Sequence, residues 1–322
     1  MSTFALNRYA FSISAAALLA ACGPSAPLTG APGESVTHPS VPAFDRGSWV
    51  APEANPSRPW LYVASNSNNK IDIYDVQRLT LKKVGQVTDG IDQPEGISVD
   101  GEGTLYVSEG VGMVEIYPAG SETPTLTLSQ GLTYANDAVT DAAGNVYVAN
   151  SGGSIADVVV YPAGQSTPSE TITSDLFSRP YGEVFDPSGD LYVADWNTGV
   201  LMIAAGSQQV VSLGLIGGGQ PAGIAFDAHT NNLFVNYYYG PGRYKTLVYA
   251  AGSAYPIRAL YGTEGANDMT IGAFGHSSYL FDPDYFTNKI YVYKPNARKP
   301  SAVMRTDAKG INGVALKPAG VL

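Results

Sequence analysis

From about residue 60 onward the chain is built of short bursts of β-branched and aromatic residues, each bounded by a polar or glycine-containing turn, which is the pattern of strands. One burst recurs as Leu61-Tyr62-Val63, Leu105-Tyr106-Val107, Val146-Tyr147-Val148, Leu191-Tyr192-Val193, Leu233-Phe234-Val235 and, more loosely, Tyr279-Leu280-Phe281. Its central residues are spaced 44, 41, 45, 42 and 46 positions apart. A second burst ending in or near tyrosine follows it, as in Ile71-Asp72-Ile73-Tyr74, Val114-Glu115-Ile116-Tyr117, Val158-Val159-Val160-Tyr161, Leu247-Val248-Tyr249 and Ile290-Tyr291-Val292-Tyr293. Leu126-Thr127-Leu128, Thr171-Ile172-Thr173 and Val210-Val211-Ser212 suggest a third strand. A glycine-led segment completes the unit, clearest in Gly96 to Asp100, Gly182 to Asp186 and Gly223 to Asp227, with weaker copies at Asp137 to Asp141, Asp268 to Gly272 and Gly313 to Lys317.

Four short strands in about 44 residues leave no room for a crossover helix, and the unit occurs six times. The expected fold is all-β, a six-bladed β-propeller of four-stranded blades over residues 60–322. A sandwich would not require one period from end to end. The order Gly-apolar-Asp, turn, Leu-Tyr-Val-Ala-Asp/Asn, loop, Ile-x-Val-Tyr resembles NHL-repeat propellers and gluconolactonase-like six-bladed propellers. The Leu-Tyr-Val-Ala start also resembles YVTN-type seven-bladed propellers. In the six-bladed families the glycine-led strand is innermost. On that resemblance the chain enters on a second strand at Leu61 and ends on a first strand at Gly313 to Lys317, so both termini must share one blade. That pairing closes the ring and covers edges that would otherwise be exposed.

The first 59 residues read differently. Arg8, an apolar run from Tyr9 to Ala21 too short to span a membrane as a mature helix, and small residues before Cys22 suggest a signal peptide over residues 1–21. Leu19-Ala20-Ala21-Cys22 resembles the bacterial lipobox, which implies lipidation of Cys22 and export to the cell envelope. Gly23, where a retention aspartate could stand, implies the outer membrane. An ordinary secretory signal with a chance cysteine is the alternative. Residues 22–59 are rich in Pro, Gly and Ser and read as a flexible tether, in which His38 and Trp49 are isolated.

Composition narrows the function classes. Cys22 is the one cysteine, so no disulfide can form within the chain. A net charge of −10 repels a phosphate backbone, which argues against nucleic acid as a partner. Charged residues are 14% of the chain, and 36 Gly with 22 Pro supply the turns that many strands need. There is no Gly-x-Ser-x-Gly nucleophile motif and no Gly-Lys-Ser/Thr phosphate loop. His229 and His276 have no clustered Cys or His partner, Gly217-Gly218-Gly219 reads as a loop, and Asp282-Pro283-Asp284 with Asn288 lacks the spacing of a calcium loop.

Up-and-down blades place the loops before the first strand and after the second strand on one face of the ring. Residues opening the six innermost strands are Glu95, Asn136, Tyr181, Ala222, Asn267 and Asn312; second-strand ends add Ser65, Glu109, Asn150, Asp195, Asn236 and Asp282. Tyr134, Tyr181, Trp196, Tyr237, Tyr238, Tyr239 and Tyr285 lie in the same loops, with Arg179 nearby. A channel mouth of amides, carboxylates and aromatics is expected to bind a protein, peptide or carbohydrate, with Glu95, Asn136, Arg179, Tyr181, Asp195, Trp196, Tyr237, Asn267, Asp282 and Asn312 as candidate contacts. Structural roles for the same residues, satisfying loop backbone and strand edges, are the competing reading.

Glu95-Gly96, Asn136-Asp137 and Asn312-Gly313 resemble metal-bearing motifs of gluconolactonase-like propellers, whereas Tyr181-Gly182, Ala222-Gly223 and Ala138 depart from them. Calcium or another divalent cation would have to use Glu95, Asn136, Asn267 and Asn312. The resemblance then implies, as the alternative to a binding module, a metal-dependent lactonase or related hydrolase with Glu95 handling a proton.

Overall fold

A computed structural model describes residues 47–317 except 53, 56, 57, 78, 263, 264, 266, 267, 275 and 276. The segment expected to be a signal peptide, Cys22, most of the stretch expected to be a tether, His276 and Asn267 lie outside the described residues. Among those described, 25 strands form six antiparallel sheets arranged as the blades of a propeller, and one short 3-10 turn occupies Asn66–Asn68. The six-bladed β-propeller expected from the repeat is therefore the fold.

Strand alternation builds the ring. In Trp60–Ser65, Leu61 and Val63 point into the core shared with blade 6, while Trp60, Tyr62 and Ala64 point into the core shared with blade 2. Side chains two apart lie on one face of a strand, so each strand feeds two cores. Six apolar clusters result, one between every pair of consecutive blades, with Leu61, Val63, Val107, Val148, Val193 and Val235 all fully buried.

The tyrosines that close the third strands have a common task. Tyr117 donates its hydroxyl to Asp89 O (2.7 Å), Tyr161 to Gln130 O (2.6 Å), Tyr249 to Ile216 O (3.3 Å) and Tyr293 to Tyr261 O (3.0 Å). Each acceptor lies on the connection that enters the tyrosine's own blade. A buried ring thus fills the inter-blade core while its hydroxyl satisfies a loop carbonyl.

Ring closure follows the expected route: Ile311–Lys317 is the inner strand of blade 1, with Leu61 opposite Leu316 and Val63 opposite Val314. Tyr74 and Lys83 of blade 1 both reach Asp307 in the connection from blade 6, the lysine at 3.0 Å. One boundary shifts. Trp49–Val50, inside the stretch read as tether, forms a fifth strand on Thr80–Val87, opposite Gln86 and Gly85. The edge of blade 1 would otherwise expose unpaired N–H and C=O groups. Gly85 permits the approach, because a β-carbon there would lie 2.7 Å from Trp49 O.

Glycine at the head of the inner strands has a packing cause. A β-carbon on Gly182 would stand 2.6 Å from Ala222 O in blade 5, and one on Gly96 would stand 2.6 Å from an Asp137 carboxylate oxygen in blade 3. Six strands converging on one axis leave no space for a side chain at those points.

Candidate binding site at the channel mouth

The inner strands share a local irregularity that creates the mouth. Registry with the second strand slips between Pro94 and Ile97, between Ala135 and Asp137, between Pro180 and Gly182, between Pro221 and Ile224, and between Ile311 and Val314. The residues left in these bulges are Glu95, Asn136, Tyr181, Ala222 and Asn312. A bulge bends the strand and re-aims a side chain. Five of the six strand-opening residues therefore occupy equivalent bulged positions, and the sixth, Asn267, is outside the described residues.

On the side formed by blades 1 to 3 the mouth is polar. Glu95 accepts a hydrogen bond from Tyr134 (2.6 Å) and another from the Asn312 amide (2.7 Å). Burial raises its pKa, opposed by the Tyr134 hydrogen bond and the Arg179 charge. Asn136 donates its amide to Ser151 Oγ (2.7 Å) and to Pro180 O (2.9 Å). Its Oδ1 is buried and has no partner, leaving an acceptor at the bulge.

Blades 4 to 6 carry an aromatic arc. Tyr181 and Trp196 lie 5.3 Å apart between ring centres, Trp196 and Tyr238 stack at 5.3 Å and 25°, and Tyr238 meets Tyr244 at 5.0 Å. The series continues through Phe286, 6.1 Å from Tyr244, to Tyr285 at 5.3 Å. The exposed Arg179 guanidinium is 5.1 Å from the Tyr181 ring centre and 5.8 Å from that of Trp196, so it connects the arc to Glu95. Tyr285 and Phe286 are exposed.

Three expected contacts belong to the interior instead. Asp195 is fully buried; one oxygen accepts Ser178 N and Arg179 N, each at 2.8 Å, and the other accepts Asn197 N and Thr198 N at 3.1 Å. It positions the loop carrying Arg179 and does not face a ligand. Asp282, also fully buried, accepts Thr246 Oγ1 (2.8 Å) between blades 5 and 6. Tyr237 is 2% exposed and hydrogen-bonds Tyr249 Oη at 3.0 Å between blades 4 and 5. Strand alternation separates it from Tyr238: the middle tyrosine of the three joins the arc, and its neighbours turn into the crevice.

Second-strand ends serve the same loop-holding task elsewhere. Asn150 Oδ1 accepts Thr133 N and Tyr134 N, Glu109 accepts Asp92 N, and Ser65 Oγ exchanges hydrogen bonds with the Lys309 backbone. With Asp195 these make four of the six second-strand ends that fix the loop preceding an inner strand, whereas Asn236 and Asp282 meet at Thr246 between blades 5 and 6.

Below the mouth lie three acids, of which the sequence singled out only Asp137, within the Asn136-Asp137 motif. Asp137 and Asp268 occupy the position that is glycine in the other four blades. Asp137 accepts Ala138 N and Glu183 N, both at 2.8 Å, and reaches over Gly96. Asp268 accepts Ile97 N at 3.1 Å across Gly313. Each thereby spans three consecutive blades. Neither oxygen of buried Glu183 has a hydrogen-bond partner. Burial raises all three pKa values, and the Asp137 charge raises those of Glu183 and Asp268 further. The Gly/Asp alternation at this position was the available sequence signal.

Among the described residues the mouth does not offer the ligand set of a divalent cation. Both Glu95 oxygens are engaged by donors, and Asn136 offers a single free oxygen, whereas calcium takes six to eight oxygen ligands. Among the described residues no cluster of three or more His, Cys, Asp or Glu side chains is arranged to hold a metal.

No protein-family model matches the sequence, and no curated protein matches it. Among solved structures the fold is similar to the Kuenenia stuttgartiensis hydrazine synthase, at 15% identity and a TM-score of 0.56, over 80% of this chain and 99% of that one. At that identity the likeness is one of propeller architecture alone.

Proposed function

We propose that this propeller is a non-catalytic binding or scaffold module that takes a carbohydrate, a peptide or a protein segment at the channel mouth. The observation that carries this reading is the unbroken arc of six aromatic side chains from three blades, facing a polar pole with an unsatisfied buried acceptor at Asn136. Aromatic groups supply contact area at low conformational cost, and Arg179, Glu95 and Asn136 Oδ1 orient donors and acceptors. The NHL-like order of the repeat supports an interaction role. The lactonase alternative loses its main support with the cation ligands, so no hydrolytic step is assigned. The lipobox-like Leu19-Ala20-Ala21-Cys22 supports display at the cell envelope, anchored through Cys22.

The test uses the full chain and follows Trp196 fluorescence while chito-, cello- and malto-oligosaccharides, and separately short tyrosine- and proline-containing peptides, are titrated in. Saturable quenching by one class, lost in Trp196→Ala and weakened about tenfold in Arg179→Ala, is expected. Turnover of a lactone that depends on Glu95 would overturn the reading. Incorporation of labelled palmitate that Cys22→Ala abolishes is the expected result for the anchor.

A further inference from the structure

The opposite face of the ring carries a second cavity, and comparison between blades sets it apart. A crevice opens there between neighbouring blades, bounded by the turn joining first and second strands and by the turn after the third. Between blades 2 and 3 it is about 750 Å3 and polar, lined by Asp100, Glu102, Thr104 and Asp141. Between blades 3 and 4 it shrinks to about 160 Å3. Between blades 4 and 5 it measures about 660 Å3, and its walls are Leu213, Leu215, Tyr192, Phe226, Leu233 and Tyr249.

The connection from blade 4 to blade 5 makes the difference. Leu213 N bonds Val200 O and Ile216 N bonds Ala254 O, so the segment crosses the crevice as an outer wall. Along it Leu213 and Leu215 are half-buried while Gly214 and Ile216 are exposed, which turns both leucines toward the cavity. Tyr192 and Phe226 form a stacked pair at 5.9 Å and 21°, a flat wall.

One polar group in this cavity is under-used relative to its counterparts. In the turns of blades 2 to 5 an aspartate accepts turn N–H on Oδ1, joined at Asp227 by the Ser278 hydroxyl, and a side-chain donor on Oδ2. That second bond is 3.0 Å for Asp100, 2.8 Å for Asp141 and 2.6 Å for Asp227, but 3.5 Å for Asp186. Asp186 Oδ2 therefore keeps capacity for a donor, in a cavity with no Lys or Arg among its described lining residues.

We propose that this cavity binds a small organic amine: a flat aromatic body between Leu213, Leu215 and the Tyr192/Phe226 wall, with its ammonium or amino group on Asp186. The volume lies in the range of small-molecule pockets, and the negative pole at one end favours a cation over an anion of equal size. The assignment is independent of the mouth.

The experiment titrates the full chain with the fluorescent probe 1-aminoanthracene, then displaces it with tryptamine and with indole-3-acetate, which share one ring system and differ in charge. One saturable site is expected, with tryptamine the better competitor by tenfold or more. Ala228→Phe, on the exposed turn that lines the cavity, is expected to weaken the probe at least tenfold. Leu215→Asp should do the same, and Asp186→Asn should abolish the preference for tryptamine. Ala143→Phe, in the corresponding crevice of blades 2 and 3, should leave binding unchanged. Absence of saturable binding, indifference to Ala228→Phe, or equal competition by the carboxylate would each overturn the proposal.

Discussion

Replacing Glu109 by glutamine should stabilise the protein, by an amount that grows with pH. The side chain ends the second strand of blade 2 and is fully excluded from solvent. One oxygen accepts Asp92 N at 3.1 Å, and the other, Oε2, has no partner. Burial pushes its pKa from 4.5 up to about 8; the Asp92 N–H opposes the shift, and the Glu115 and Asp92 charges add to it. The native state therefore holds a proton that the unfolded chain releases above pH 4.5, and stability falls as pH rises from there toward 8. At 1.36 kcal/mol per pH unit the cost is under about 1 kcal/mol at pH 5 and about 3 kcal/mol at pH 7. Relaxation of the surroundings around a buried charge lowers this, so roughly half of that is a realistic yield. Glutamine reproduces the neutral acid, and amides already stand at the corresponding ends in blades 3 and 5, Asn150 and Asn236. Urea unfolding of both proteins at pH 5, 7 and 8 isolates the effect, because every other titrating group is common to the pair. A variant less stable than its parent at pH 7, or a difference that does not widen between pH 5 and 7, would refute the reasoning.

Two further outcomes test the ring. Gly182→Ala should cost about 1–3 kcal/mol, since its β-carbon would meet the Ala222 backbone at 2.6 Å, whereas Gly101→Ala, with nothing within 4 Å, should change stability by less than about 0.5 kcal/mol; thermal unfolding of the two variants decides it. Removing residues 311–322 strips the inner strand from blade 1 and exposes the edge of Trp60–Ser65, so the sharp unfolding transition should be lost in scanning calorimetry. A truncated chain that still melts cooperatively near the parental temperature would show that closure is dispensable.

The sequence alone determined the period, the blade count, the pairing of the two ends and the face on which loops gather. Those properties are local: apolar alternation identifies a strand wherever it occurs, and a repeated order of strands leaves few ways to close a ring. It also named Glu95, Asn136, Tyr181 and Asn312, because residues before a glycine-led strand sit at one position in every blade. It did not distinguish Asp195, Asp282 and Tyr237 from surface contacts, since a polar or aromatic residue beside a turn reads alike whether it faces solvent or a neighbouring blade. Tyr244 and Phe286 entered the aromatic arc unannounced, contributed by different blades that only the closed ring brings together. The same holds for Glu183 and Asp268, which join Asp137 at the axis; the three are separated by up to 131 positions in the chain yet electrostatically coupled. Tertiary structure decided those roles for a physical reason: burial, hydrogen-bond partners and the dielectric around a charge depend on which distant segments converge on it.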